Sequence, residues 1–225
     1  MSIEQNLSEI RQNIENACKR AGRDPSDVLV LAVTKTIDAD RINEAVSLGI
    51  TDIGENRVQE LMAKYDLVDK SVRWHLIGHL QTNKVKYIAD KVCMIHSVES
   101  YELAKEIDKR CKKIDKVMDV LIEVNVSGEE TKSGISPKET ESFVREISRF
   151  ENIRVKGLMT MAPFEAKNDE LHQIFSDLYK ISVDISSKKL DNVSMEYLSM
   201  GMTGDYEVAV EENSTIVRIG TGLFK

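Results

Sequence analysis

Cysteine is scarce and unpatterned in this chain. Cys18, Cys93 and Cys111 are odd in number and stand at no metal-like spacing, so no disulfide framework and no cysteine-based metal centre is legible. Three ordinary thiols in a reducing compartment, the cytoplasm, are expected. No apolar run approaches the roughly 18 residues needed to span a bilayer. Residues 1–23 are charged and amphipathic, without the apolar core of a signal peptide. Basic blocks are missing too, and the formal net charge is −7; this argues against a duplex nucleic-acid binder and against attachment to an anionic membrane surface. No Gly-x-Gly-x-x-Gly follows a strand-like segment, so the dinucleotide fingerprint is lacking. Linkers, low-complexity segments and sequence-level repeats are absent. With 41% hydrophobic and 31% charged residues, a globular fold is expected, with residues 1–225 forming one domain.

What is present is organised around Val28-Leu29-Val30-Leu31-Ala32-Val33-Thr34-Lys35, an aliphatic run that reads as a strand buried on both faces. A helix over residues 2–21 precedes it, with Leu7, Ile10, Ile14, Ala17 and Cys18 on one apolar stripe. Further strands are predicted at residues 51–54, 73–77, 92–98, 118–126, 155–161, 194–199 and 215–219. Helices are predicted at 38–48, 56–68, 82–89, 101–113, 136–150, 169–185 and 205–210, and a polar loop at 128–134. Strands alternating with helices mean βαβ units and a parallel sheet. Eight such units favour an α/β fold of the (β/α)8 TIM-barrel type over an open Rossmann-like sheet. The chain stops six residues after the eighth strand, so no helix is expected there; the extra N-terminal helix is expected to cover that gap.

In such a barrel, chemistry gathers at the C-terminal ends of the strands. Lys35 ends strand one. A lysine there either snorkels to water or serves as an amine nucleophile toward carbonyls. Ser199-Met200-Gly201 and Gly220-Thr221-Gly222 follow strands seven and eight, where backbone amides in this architecture often cradle phosphate. Taken singly, each is an ordinary βα turn. Together with Lys35 they suggest a phosphorylated carbonyl compound held as an imine. Period-two alternation puts Ile216, Arg218 and Gly220 on one face. Arg218 then lies beneath the anion site, or is a structural arginine paired with a carboxylate such as Glu123. His75 and His79 share a face of strand three and read as core or supporting residues. His96 and His172 have no evident partner.

These residues carry a resemblance. Leu31-Ala32-Val33-Thr34-Lys35-Thr36, Gly54-Glu55-Asn56-Arg57, the stretch 74–84, Lys132-Ser133-Gly134, Gly157-Leu158-Met159, Ser199-Met200-Gly201-Met202-Thr203-Gly204-Asp205 and Val217-Arg218-Ile219-Gly220-Thr221 resemble the YggS/PROSC family of pyridoxal 5′-phosphate (PLP) homeostasis proteins. They occur in the family's order and span nearly the whole chain. The resemblance implies the N-terminal barrel of alanine racemase, with PLP as a Schiff base on Lys35. It implies the phosphate on Ser199, Met200, Gly220 and Thr221, Arg218 facing the pyridine nitrogen, and Asn56 in the cofactor site. It implies no metal and no assigned catalytic residue; a lone barrel without an obvious dimerising addition is expected to be a monomer. PLP and amino acids would be the small-molecule ligands, and PLP-dependent apo-enzymes the recipients. Two departures stand out. Thr36-Ile37-Asp38 replaces a second lysine and proline common in the family, and the chain ends at Phe224-Lys225.

Two functions from different classes follow. A guanidinium beside a pyridine nitrogen disfavours its protonation, which weakens the ring as an electron sink. The sequence offers no evident tyrosine or cysteine opposite Lys35 and no room for a racemase's second domain. A PLP-binding homeostasis protein is therefore the primary reading, a low-activity PLP-dependent amino-acid racemase the alternative, and a class I aldolase using Lys35 a distant third.

Overall fold

The computed structural model describes residues 2–129 and 132–225; of the polar loop expected at 128–134, residues 130 and 131 lie outside the described residues. Eight parallel strands close into a barrel in sequence order: β1 (Leu29–Val33), β2 (Asp52–Glu55), β3 (Arg73–Leu76), β4 (Met94–Val98), β5 (Met118–Glu123), β6 (Ile153–Met159), β7 (Val193–Met202) and β8 (Ile216–Ile219). Closure is made by β8 on β1, with Leu29 beside Ile216 and Leu31 beside Arg218. The open-sheet alternative is thereby excluded. Leu31 and Val33 of β1 point into the barrel with Ile77, Met94, Leu121, Met159 and Ile216, whereas Ala32 packs outward against the helical layer. Burial on both faces explains why β1 reads as an unbroken apolar run.

The helices are α1 (Ile3–Ala21), α2 (Ala39–Ser47), α3 (Val58–Lys64), α4 (Val85–Ile88), α5 (Tyr101–Lys112), α6 (Pro137–Ile147), α7 (Asn168–Ser187), α8 (Tyr206–Glu211) and α9 (Thr221–Phe224). Local chemistry starts several of them. Ser2 and Gln5 form a capping box on α1, and the Asp38 carboxylate accepts from the Arg41 amide at 2.9 Å. Among the described residues no helix is long and apolar enough to cross a membrane.

Three expectations are corrected. A one-turn helix, α9, follows β8 where none was expected. Asn6 of α1 secures it by donating to the Leu223 and Lys225 carbonyls, both at 3.0 Å, which satisfies acceptors that a helix end leaves open. The helix expected at 82–89 is a 3-10 turn, Thr82–Lys84, leading into α4. Most consequential, β7 runs to Met202 rather than stopping at 199. Its pairing with β8 shifts between Ser199 and Met202, where Gly201 has φ 91° and a Cβ would stand 2.6 Å from the Ala209 Cβ. Only glycine fits that irregularity, and it carries the strand's functional end three residues further along.

Candidate functional site

A cavity of about 370 Å³ opens at the C-terminal mouth of the barrel, and Lys35, Arg218, Gly220 and Thr221 all stand on its wall. Four of the seven residues singled out from the sequence are thus brought together. Lys35 lies two residues beyond β1 in a turn closed by the Ile37 amide on the Thr34 carbonyl, 3.0 Å. Thr36 follows with φ 64°, an uncommon conformation for a non-glycine residue, and its amide donates to Glu60 Oε2 at 3.1 Å. Beneath the turn, fully buried Glu55 accepts from Thr34 Oγ1 and from Lys64 Nζ, each at 2.8 Å. Lys64 also donates to the Thr34 carbonyl at 2.8 Å. Burial raises the Glu55 carboxyl despite these bonds. The carboxylate nearest the turn is therefore engaged by Lys64, and the exposed Lys35 amine projects at the cavity.

Arg218 is buried on β8. Its Nη1 donates to the Ser199 carbonyl at 2.6 Å and to Ser199 Oγ at 2.7 Å, and its Nη2 to the Thr160 carbonyl at 2.8 Å. It forms no ion pair with Glu123 among the described residues, so the simple structural pairing does not occur. Three of the guanidinium's five N–H groups are used, which leaves two. Burial draws Arg218 down to about 10, so it stays charged at neutral pH. Glu123, at the end of β5 across the barrel from β1, is pushed up to about 7, first by burial and then by the charge of Glu99, against Arg218 and His79.

Ser199 and Met200 are placed differently from the expectation. Both are fully buried and neither lines the cavity. Because β7 extends to Met202, the cavity wall here is Met202 at the strand end, followed by Thr203, Gly204 and Asp205. Thr203 Oγ1 accepts from the Gly222 amide at 3.1 Å, and a Cβ on Gly222 would come within 2.8 Å of Thr203 Cγ2. Glycine at 222 therefore lets the turns after β7 and β8 meet. Thr203 and Gly204 were missed because the strand end was set at 199, although both lie within the Ser199–Asp205 match. Asn56 does not line the cavity either, yet its Oδ1 is buried without a partner among the described residues. Its backbone is so close to Gly78 that a Cβ there would stand 2.4 Å from the Asn56 carbonyl.

The histidines acquire partners the sequence did not offer. His79 is exposed and 2.7 Å from Glu99 Oε1. His172 lies 2.8 Å from Glu212 on the outer layer. His96 Nδ1 meets Ser199 Oγ at 3.0 Å. Asp52, His75 and Cys93 bring ligand atoms within 4.8 Å of one another, from β2, β3 and the residue before β4, and hence at no recognisable spacing. Arg73 already pairs with Asp52 at 2.9 Å, and the Cys93 thiol is pushed up to about 12, chiefly by burial. A protonated thiol beside a guanidinium suits hydrogen bonding better than a cation.

The family model described as "Alanine racemase, N-terminal domain" matches residues 5–225. A pyridoxal phosphate homeostasis protein of Aquifex aeolicus is 44% identical over 225 residues, covering 100% of this chain and 98% of the relative. The protein of that name in Escherichia coli is 33% identical over 226 residues, covering 99% and 95%. PipY of Synechococcus elongatus, solved with PLP bound, superposes with a TM-score of 0.87 at 29% identity over 100% of both chains. An alanine racemase of Clostridium difficile shares the fold alone, with a TM-score of 0.73 at 15% identity over 99% of this chain and 55% of that one. The chain therefore belongs to the alanine racemase N-terminal-domain family, and within it to the pyridoxal phosphate homeostasis proteins.

Proposed function

We propose that this protein binds PLP through the cavity at the barrel mouth and serves PLP homeostasis. The observation that carries the reading is the placement of Lys35, Arg218 and the Gly220–Thr221 turn on one wall. The cavity lies within the usual range for small-molecule sites, roughly 300–1,000 Å³. Its parts match a phosphorylated pyridine aldehyde. The Thr221 amide opens α9 and has no intrahelical acceptor, and Thr203 brings the β7 turn against the β8 turn; these groups suit a phosphate. The two unspent N–H groups of Arg218 suit a ring nitrogen, and Lys35 supplies a primary amine. PLP, when bound, supplies an aldehyde that condenses with amines. The phosphate is thus assigned to Thr203–Gly204 and Gly220–Thr221 rather than to the buried Ser199–Met200 pair, and Asn56 to a supporting position.

Within the site, Lys35 holds, the two turns anchor, and Arg218 orients. A guanidinium charged at neutral pH keeps a facing ring nitrogen unprotonated, because two adjacent positive charges repel in a buried setting. No tyrosine or cysteine lines the cavity among the described residues. This combination supports carriage of PLP without a robust reaction, with amino acids as further ligands and PLP-dependent apo-enzymes as recipients. Three free thiols fit a cytoplasmic protein, and we read residues 1–225 as one unit acting as a monomer. One observation favours the racemase alternative: Glu123, a carboxyl titrating near 7, stands on the strand opposite Lys35.

The test is reduction of the PLP-loaded protein with borohydride and identification of the labelled peptide. Label on Lys35, lost in Lys35→Ala, is the expected result. Label on another lysine, or an undiminished visible absorbance band in the variant, would refute the assignment.

A further inference from the structure

The barrel interior contains a file of polar side chains that meets the cavity only at its last member, Arg218. Asp52 begins β2, at the end of the barrel away from the cavity, and its Oδ1 is 2.8 Å from His75 Nε2. His75 Nδ1 is 2.9 Å from His96 Nε2. His96 Nδ1 is 3.0 Å from Ser199 Oγ, and Ser199 Oγ is 2.7 Å from Arg218 Nη1. The five residues come from β2, β3, β4, β7 and β8, and each is 0–4% exposed. At the far end Asp52 also accepts from Thr51 Oγ1 at 2.7 Å and from Arg73 Nη2 at 3.0 Å.

The chemistry of the two ends leaves one arrangement of protons. Arginine donates and never accepts. Ser199 Oγ accepts from Arg218, so its own proton goes to the remaining neighbour, His96 Nδ1. With Nδ1 accepting, His96 carries its proton on Nε2 and gives it to His75 Nδ1. His75 is then protonated on Nε2, which donates to the Asp52 carboxylate at 2.8 Å in preference to Cys93 Sγ at 3.3 Å, the weaker acceptor. Burial works against ionisation of Asp52, but the bonds from His75, Thr51 and Arg73 outweigh it and hold the carboxyl below its usual range. The terminal acceptor is therefore ionised. Protonation of His96 is strongly opposed, first by burial and also by the charge of Arg218. Turning either imidazole round would set two donors against each other or leave a buried proton without an acceptor, at a cost buried polar groups rarely bear.

We propose that Asp52, His75, His96 and Ser199 are positioning residues: a one-way hydrogen-bond relay through the barrel that fixes Arg218, and through it the ring that binds above. Ser199 is the coupling point, because it offers both its carbonyl and its hydroxyl to the same guanidinium nitrogen. That bond holds Nη1 at the floor, and with it the plane in which the two unspent N–H groups lie. Unless those groups are held, the guanidinium can rotate away, and a bound ring nitrogen becomes free to take up a proton. The effect on the ring rests on the PLP reading; the relay is a property of the polypeptide alone.

The experiment has two arms on the full chain. In the ligand-free protein labelled with ¹⁵N at histidine and arginine, NMR should show His75 and His96 each protonated on Nε2 and bare on Nδ1. The Arg218 Nη1 hydrogens, both held by Ser199, should exchange slowly. Ser199→Ala and His96→Phe should speed that exchange about tenfold or more, the equivalent of one hydrogen bond to a charged group, while Ser199→Thr, which keeps the hydroxyl, should preserve it. In the PLP-loaded arm, the parent's visible band should not move between about pH 6 and 9, a span on both sides of neutrality well below guanidinium titration. Ser199→Ala should gain a pH-dependent band and lose about tenfold in PLP affinity, with Thr restoring both. The opposite tautomer at either histidine, or a folded Ser199→Ala protein whose Arg218 exchange matches the parent's, overturns the relay. A parent that takes up no PLP overturns the ligand reading instead, and the ligand-free arm still decides the relay.

Discussion

Replacing Glu123 by glutamine should stabilise the protein above neutral pH and leave its stability near pH 4.5 almost unchanged. Glu123 is 4% exposed, and its carboxyl is moved from 4.5 to about 7 by burial and by Glu99, which outweigh the attraction of Arg218 and His79. In the unfolded chain the same carboxyl releases its proton near its ordinary value. Between those two values the folded protein keeps a proton that the unfolded chain has lost, so unfolding grows easier as pH rises. At about 1.4 kcal/mol per unit over roughly 2.5 units, Glu123 costs the folded state up to about 3 kcal/mol above pH 7. His96 acts in the opposite direction. It stays neutral in the fold, whereas its unfolded imidazole takes up a proton below about 6.5, so stability drops by about 1.4 kcal/mol per unit as pH falls further. Between about pH 4.5 and 6.5 the two slopes oppose one another, and their sum in the parent is nearly flat. Urea unfolding at fixed ionic strength should show Glu123→Gln gaining stability with pH up to about 6.5 and then levelling. His96→Gln should lose stability with pH over the same interval. Parallel curves for Glu123→Gln and the parent would mean that Glu123 is already ionised in the fold, and the account of its burial would be wrong.

Other perturbations probe the cavity directly. Lys35→Ala should abolish the visible absorbance of the PLP-loaded protein while leaving its unfolding free energy in urea within about 0.5 kcal/mol of the parent, as expected for an exposed side chain; an unaltered spectrum rules out Lys35 as the point of attachment. Gly220→Val should weaken PLP binding about tenfold or more by fluorescence titration. A Cβ there already lies 3.3 Å from Val33 Cβ and 3.4 Å from the Val33 carbonyl, so the added bulk must displace β1 or enter the cavity; unchanged affinity would remove Gly220 from the phosphate turn. Pyridoxal should bind the parent at least about tenfold more weakly than PLP, the least expected from losing charge-assisted bonds to phosphate; equal affinities argue against an anion site. Protein loaded with PLP and incubated with L-alanine in D₂O should produce neither D-alanine nor α-deuterium at about 1 s⁻¹ or faster; turnover at such rates would establish the racemase alternative, with Glu123 the first residue to substitute.

The alternation of strands and helices was legible because it is written locally, as runs of aliphatic residues punctuated by polar capping and turn residues such as Asp38. Lys35 was legible for the same reason: a lysine ending a fully apolar strand is conspicuous, and the order of strands places it at the functional mouth. Gly220 and Thr221 followed from their position after β8. Only the tertiary structure located the end of β7, because Gly201 breaks the strand's pairing in response to Ala209, a packing constraint invisible to period-two patterning. That displacement exchanged Ser199 and Met200 for Thr203 and Gly204 at the cavity. The pairing of His96 with Ser199, 103 residues apart in the chain, and the meeting of Asp52, His75 and Cys93 were likewise beyond the sequence. A residue's face on a strand depends on its neighbours two positions away. Its partner across a closed barrel depends on the stagger at which eight strands meet, which is settled only when the whole sheet has closed.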